Sequence, residues 1–327
     1  MCKNVDNSLK IEKNVFDTKL VALEMMTSDI KKNLDEEISL ELNKISLENI
    51  KAKLIKLSSY HTRHTKSEYI NEAADWLKSE FERIGYENTF FHAFTERIDD
   101  SEFKLKNIIC NKNGNNRKCI IICAHYDSRM KCKPDHTTRA PGANDNASGV
   151  SAILEIARVL YDKKLEFDLQ FVLFSGEEQN FLGSEQYAKL IREKNISLYR
   201  LINLDMIGYP QLNPGKIIIE TDNNPNYEEH NRVLCNDKES IECGKTMIIN
   251  TYKYTNLIPE ERSIYDSDYE AFEKRGYVVI GAYDGSAEPE RNPHYHSITD
   301  TPDKIDWNYL TSVTKIVLAT ILSINKE

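Results

Sequence analysis

The sequence has no excess of positive charge. Its 43 Lys and Arg face 52 Asp and Glu, a formal charge of −9. It therefore offers no broad cationic face to displace counterions from phosphates, and nucleic acid is not an expected partner. Long apolar runs are also missing. The longest, 119–124, 171–174, 217–219 and 277–282, fall far short of the ~20 residues that cross a bilayer, so no membrane span is expected. There is no internal repeat, low-complexity tract or Pro/Gly/Ser-rich linker, and one domain is the simplest organisation. Cysteine is sparse. Seven is an odd number, so at least one thiol is unpaired in a monomer. With no secretory apolar segment at the N-terminus, reduced thiols and a cytoplasmic chain are expected. The Met1-Cys2 start leaves one alternative open, a secreted protein or lipoprotein whose signal was trimmed before Cys2. Cys110, Cys119, Cys123 and Cys132 are spaced by nine, four and nine positions. Those are not the paired short spacings of a structural zinc site, and core thiols are the plainer reading.

What is present is ordinary globular composition, 40% apolar and 29% charged over 327 residues, enough to bury a large core without disulfides. Residues 1–33 show no strong period and read as a poorly defined lead. Helical spacing over 34–57 predicts one helix, and 68–84 a second, stopped by Gly85. From there the chain alternates. Strands are predicted at 107–111, 119–124, 169–174, 201–205, 216–220 and 277–282, and helices at 147–163, 181–193, 226–236, 269–275 and Trp307–Ile324, the last capped by Asp306. Short apolar strands between amphipathic helices imply an α/β fold, a three-layer α-β-α sandwich around a mostly parallel mixed sheet.

The carboxylates and histidines concentrate at predicted strand ends, where open α/β sheets build ligand sites. His125-Tyr126-Asp127 follows strand 119–124. Asp145 lies in Gly142-Ala143-Asn144-Asp145-Asn146, before helix 147–163. Glu177-Glu178 follows strand 169–174, Asp205 ends strand 201–205, and His296 lies in the loop after strand 277–282. Each has a bland reading: Asp145 as a helix cap, Glu177 and Glu178 as first-turn acids, Asp205 as a strand cap, His125 as a core histidine. Together they would crowd uncompensated negative charge at one place, which calls for a cation. Two histidines and three carboxylates suit two zinc ions, provided one carboxylate bridges. The Glu left over would act as a base on a metal-activated water, as metal-assisted hydrolysis requires.

These runs resemble metallopeptidase family 28, the co-catalytic di-zinc aminopeptidases related to bacterial leucyl aminopeptidase. The resemblance is carried by His125-Tyr126-Asp127-Ser128, Gly142 to Gly149, Phe174-Ser175-Gly176-Glu177-Glu178 and Asn203-Leu204-Asp205-Met206. Ser267-Asp268, Phe272, and Tyr295-His296-Ser297 with Asp300-Thr301-Pro302-Asp303 complete the order. It covers roughly residue 40 onward and implies a single zinc-exopeptidase catalytic domain over 34–327, opening with a helical segment. It further implies that Asp145 bridges two zinc ions, His125 and Asp205 complete one site, and Glu178 and His296 the other. Glu177 is then the general base and Asp127 the carboxylate that orients His125. The expected substrates are peptides with a free N-terminus. Nothing in the motifs reads out oligomeric state, native metal or preferred residue.

The chain has Tyr269 where the family often has histidine after Ser-Asp, which bears on the pocket rather than the ligands. His294 competes with His296, and the family's His-Ser/Thr-x-x-Asp-Thr pattern favours His296, with His294 an exposed loop residue. His61 and His64, at a helix end, are read as structural rather than metal-binding. Trp76 and Trp307 read as core; Tyr209, Tyr283 and Tyr295 are candidate pocket walls. Loops 131–140 and 253–266 are the candidate lids. Glutaminyl cyclases share the fold and most ligands but place tryptophans near the pocket, where this chain has Tyr295. A carboxypeptidase relative is a further alternative. A non-catalytic relative would have lost ligands or base, whereas all six residues are here.

Overall fold

The structure, a computed structural model, describes residues 34–116, 118–210, 215–224, 232, 233, 235–287 and 291–326. Two helices open it, α1 (Glu36–Leu42) and α2 (Leu47–Ser59), where the helical period predicts one. The break falls where Ser46 turns extended. Its hydroxyl accepts the Asn49 N–H at 3.3 Å, and its own N–H is taken by Glu155 Oε1 at 2.6 Å. Capping overrides a continuous apolar stripe. Next come α3 (Tyr69–Ile84), closed by Gly85 at φ +118, and the hairpin β1 (Thr89–Ile98) and β2 (Ser101–Lys112). Strand β1 has no counterpart in the sequence reading, because its two-residue turn, Asp99-Asp100, lacks the glycine that usually marks one.

The remaining elements are β3 (Cys119–His125), α4 (Ser148–Leu160), β4 (Asp168–Phe174), α5 (Leu182–Glu193), β5 (Leu198–Asp205) and β6 (Lys216–Thr221). They are followed by α6 (Asp237–Tyr254), β7 (Ile258–Ser263), α7 (Glu270–Glu273), β8 (Val279–Tyr283) and α8 (Trp307–Ile324). The helix predicted at 226–236 lies mostly outside the described residues, and α6 begins just beyond it. One expectation needs correction. Segment 253–266 is not a free lid: it holds the end of α6 and the edge strand β7.

Among the described residues eight strands form one sheet in the order β1-β2-β4-β3-β5-β8-β6-β7. Strands β4, β3, β5 and β8 run parallel, so their carboxyl ends open on a single edge. Alternation along β3 feeds two cores. Ile120, Ile122 and Ala124 face α2, α3, α4 and α8, while Cys119, Ile121 and Cys123 face α5 and α7. This is the expected sandwich, with one face more heavily covered. Among the described residues only α8 is long and apolar enough to cross a membrane. Twelve of its residues are buried against the sheet and its neighbours, so it serves as a core helix. Cys110, Cys119, Cys123 and Cys243 are buried free thiols.

Candidate metal centre

The common edge collects the five predicted strand-end residues. His125 ends β3 and Asp205 ends β5. Glu177 and Glu178 form a tight turn after β4, and His296 sits in the loop after β8 at φ +50. Asp145 lies in the turn 143–147 before α4 at φ −109, ψ 92, and α4 has no side-chain cap. The helix-cap reading of Asp145 therefore does not describe it.

Asp145 stands between the two histidines. Its Oδ1 is 3.3 Å from His125 Nε2 and its Oδ2 is 3.0 Å from His296 Nε2. On one side Asp205 Oδ1 lies 3.2 Å from His125 Nε2; on the other Glu178 Oε2 lies 3.0 Å from His296 Nε2. The result is two ligand triads, His125–Asp145–Asp205 and Asp145–Glu178–His296, with Asp145 in both. A tetrahedral ion with ligands at 2.0–2.1 Å spaces their atoms about 3.3 Å apart, close to these separations. Glu178 Oε1 is buried with no hydrogen-bond partner among the described residues, an acceptor left over for a cation. Donor set, spacing and orphaned oxygen all fit zinc. Glu177 stays outside both triads, with Oε2 3.8 Å from His125 Nε2.

The electrostatics are those of a crowded acidic pocket. Burial pushes Glu177 well above the ordinary carboxylate range, opposed by His125 and reinforced by Asp205, Glu178 and Asp268. Burial likewise raises Glu178 to about 7. For His296 burial favours the neutral ring, but Glu178 and Asp145 outweigh it and raise the value to about 10. Carboxylates hold protons on imidazoles here as they would hold a metal.

Several residues set this geometry. Asp127, fully buried, accepts the Glu177 N–H on Oδ1 and the Glu178 N–H on Oδ2, both at 3.2 Å, and its Oδ1 lies 3.5 Å from His125 Nδ1. Asp300 accepts the Asn144 and Asp145 N–H groups at 2.9 and 3.1 Å. Ser267 donates to Asp205 Oδ2 at 2.7 Å and accepts from Asn203. Arg63, fully buried, donates to the carbonyls of Leu57, Tyr126, Pro141 and Gly142 at 2.6–3.0 Å. It pins the end of α2 to both ligand-bearing loops. Gly142 is required beside it: at φ +53, a Cβ would sit 2.3 Å from Asp145 O and 2.7 Å from Arg63 Nη2. Sequence reading gave Arg63 no role, since its partners are carbonyls up to 79 positions away.

The cluster opens into a cleft of about 400 Å³ whose walls include Arg129, Met206, Glu220, Tyr269, Tyr283 and Tyr295. Tyr209 is not among the wall residues; it faces His294 instead. Loop 131–140 does not line the cleft. Ala140 accepts a place beside Thr62, its N–H bound to His61 O, and Lys131 N–H bonds His296 O. Of segment 253–266, Arg262, Ser263, Tyr265 and Asp266 reach the wall. His294 is half-buried rather than exposed and bonds Thr299 Oγ1 at 2.9 Å. His64 packs against Asp135 at 3.4 Å, and His61 against Thr137 O, consistent with a structural role. Trp76 and Trp307 pack on the core, away from the cleft.

The profile of peptidase family M28 matches residues 107–321, the stretch that carries every residue of the cluster. A protein of Trichophyton verrucosum named "Probable leucine aminopeptidase" is 27% identical over 313 residues, covering 93% of this chain and 81% of its own. A "Probable zinc metalloprotease" of Pyrenophora teres is 26% identical over 321 residues, covering 89% and 67%. Among solved structures, the LapA aminopeptidase of Legionella pneumophila superposes with a TM-score of 0.74 at 22% identity, covering 90% of this chain and 76% of that one. A glutaminyl cyclase of Bacteroides thetaiotaomicron gives 0.69 at 22% identity, covering 85% and 97%. The fold is that of the zinc exopeptidases. The chain belongs to peptidase family M28 and is a zinc-dependent peptide hydrolase.

Proposed function

We propose that the protein is a di-zinc aminopeptidase, removing N-terminal residues from peptides with a free α-amine, and that residues 34–327 form its single catalytic domain. The observation that carries this is Asp145, whose two oxygens address two separate histidine–carboxylate sets at 3.3 and 3.0 Å. His125, Asp145 and Asp205 would hold one ion; Asp145, Glu178 and His296 the other. Zinc at these positions supplies Lewis acidity, polarising the scissile carbonyl and acidifying a water.

The chain's own groups do the rest. Glu177 lies beside the cluster without belonging to either triad, so its carboxylate is available to take a proton from the attacking water and return it to the leaving amine. Asp127 fixes the Glu177–Glu178 turn through two backbone N–H groups, which keeps base and ligand in constant relation. The free α-amine of the substrate would bind beside the cluster, so that a blocked N-terminus is not accepted.

Initial rates on aminoacyl-p-nitroanilides, each beside its N-acetylated counterpart, test the reading. Free-amine substrates alone should be cleaved, and a chelator should abolish the activity. Glu177→Gln should retain two zinc ions while losing roughly 10²–10⁴ in kcat; undiminished turnover in that variant would remove Glu177 as base. A second reading rests on the likeness to a glutaminyl cyclase. Cyclisation of an N-terminal glutaminyl peptide, with no p-nitroaniline released from any substrate, would establish it instead.

A further inference from the structure

One wall of the cleft carries a charged group that the proposed chemistry does not use. Glu220 lies on β6, only 6% exposed, yet it contributes to the cleft wall. The sheet register puts it in a row with Arg262 on β7, Gly281 on β8 and Asn203 on β5. Its carboxylate lies across β8 because Gly281 has no side chain: a Cβ there would be 2.4 Å from Glu220 Oε2 and 2.9 Å from Tyr269 Cε1. Any other residue at 281 would drive the carboxylate out of this position.

The carboxylate has no cationic partner within ion-pair distance among the described residues. Arg262, its neighbour in the register, turns instead to Glu260, at 2.6 and 2.7 Å. Burial raises its pKa to about 8; a hydrogen bond with the Tyr269 side chain and the charge of Arg262 favour the ionised form, while Asp205 and Glu270 oppose it. Tyr265, Tyr269 and Tyr283 line the cleft here, and Met206 lies next to Asp205. A buried carboxylate is costly unless a cation reaches it. An occupant with an apolar stem and a cationic head would satisfy both the tyrosines and the acid.

We propose that Glu220 selects peptides whose N-terminal residue is lysine or arginine, receiving the cationic head of that side chain. This rests on the aminopeptidase reading, which places the first residue of the substrate at the metal cluster. The stem would run from the cluster past Met206 and the tyrosines, leaving the scissile bond beside Glu177. Glutamate and aspartate in the same place would be repelled by Glu220.

The test uses zinc-loaded full-length protein and p-nitroanilides of Lys, Arg, Leu, Met and Glu. Wild type should show kcat/KM at least tenfold higher for Lys and Arg than for Leu, with Glu the poorest substrate. In Glu220→Leu the Lys-to-Leu ratio should fall roughly 100-fold, the scale of losing a charge-assisted hydrogen bond. Glu220→Gln, which keeps the volume, should lower the same ratio. Free lysine should inhibit wild type better than free leucine, a comparison that needs no variant to fold. A wild-type preference for Leu over Lys overturns the proposal. So does a parallel fall for all substrates in both variants, which would mean that Glu220 holds the α-amine or the wall itself. Failure to cleave any of the five would refute the aminopeptidase reading, and the selectivity with it.

Discussion

Replacing Asp127 by asparagine keeps the shape of the site and removes one charge. The carboxylate accepts two backbone N–H groups, from Glu177 and Glu178 at 3.2 Å each. An amide offers only one oxygen. One bond would survive at neutral strength, a loss of about 1 kcal/mol, and the other N–H would face an NH₂ group and go unsatisfied, costing about 1–3 kcal/mol more. The sum is about 3 kcal/mol, or roughly 4–5 °C in unfolding midpoint for a chain of this size. These bonds do not involve the metal, so the loss should appear in metal-stripped and zinc-loaded protein alike. The contact between Asp127 Oδ1 and His125 Nδ1 at 3.5 Å adds a separate effect, a 10- to 100-fold weakening of zinc binding or activity. Thermal unfolding of both forms, with zinc affinity measured by chelator competition, separates the two. A midpoint within 2 °C of wild type together with unaltered zinc affinity would refute the role given to Asp127.

Other consequences follow from the same geometry. His296→Ala should lose one of two zinc ions by elemental analysis, whereas His294→Ala should keep both; the opposite result would mean that the wrong histidine has been chosen. Arg63→Met strips four buried carbonyls of their donor and should cost about 3–5 kcal/mol in urea unfolding; a loss below 1 kcal/mol would show that water or rearrangement replaces the guanidinium. Burial, with Glu273 and Asp237 nearby, raises Asp222 from 3.8 to about 8. The folded chain therefore holds a proton there that the unfolded chain has released, and stability should fall as pH rises through that window. Asp222→Asn should flatten this fall between about pH 4 and 8, and an unchanged slope would show that Asp222 is ionised in the folded protein.

Much of the architecture was legible because its signals are local. The apolar run at 119–124, the stop at Gly85 and the cap at Asp306 each lie within a few residues of the feature they specify. Elements whose boundaries depend on distant partners were not legible in this way. Ser46 breaks α1 from α2 with help from Glu155, more than 100 positions away. Strand β7, exposed on the sheet's edge and rich in charge, has no apolar signature and exists because β6 pairs with it. Loop 131–140 looked like a lid because nothing in its own sequence reveals that Ala140 is tied to His61.

The sequence by itself determined which residue types stand at the strand ends, and so the class of chemistry. His125, Asp205 and the Glu177–Glu178 pair each follow directly from the strand or turn that delivers them, and adjacency along the chain is enough to see it. Only the tertiary structure decided how these groups pair. It brought Asp145 between two histidines 171 positions apart and turned Asp127 toward the Glu177–Glu178 backbone. It also set Arg63 beneath both ligand loops. The strand order β5-β8-β6-β7 is decisive for the cleft wall, because it aligns residues 203, 281, 220 and 262 in one row. Such alignment comes from hydrogen-bonded register between strands that are remote in sequence, and no local pattern of residues encodes it.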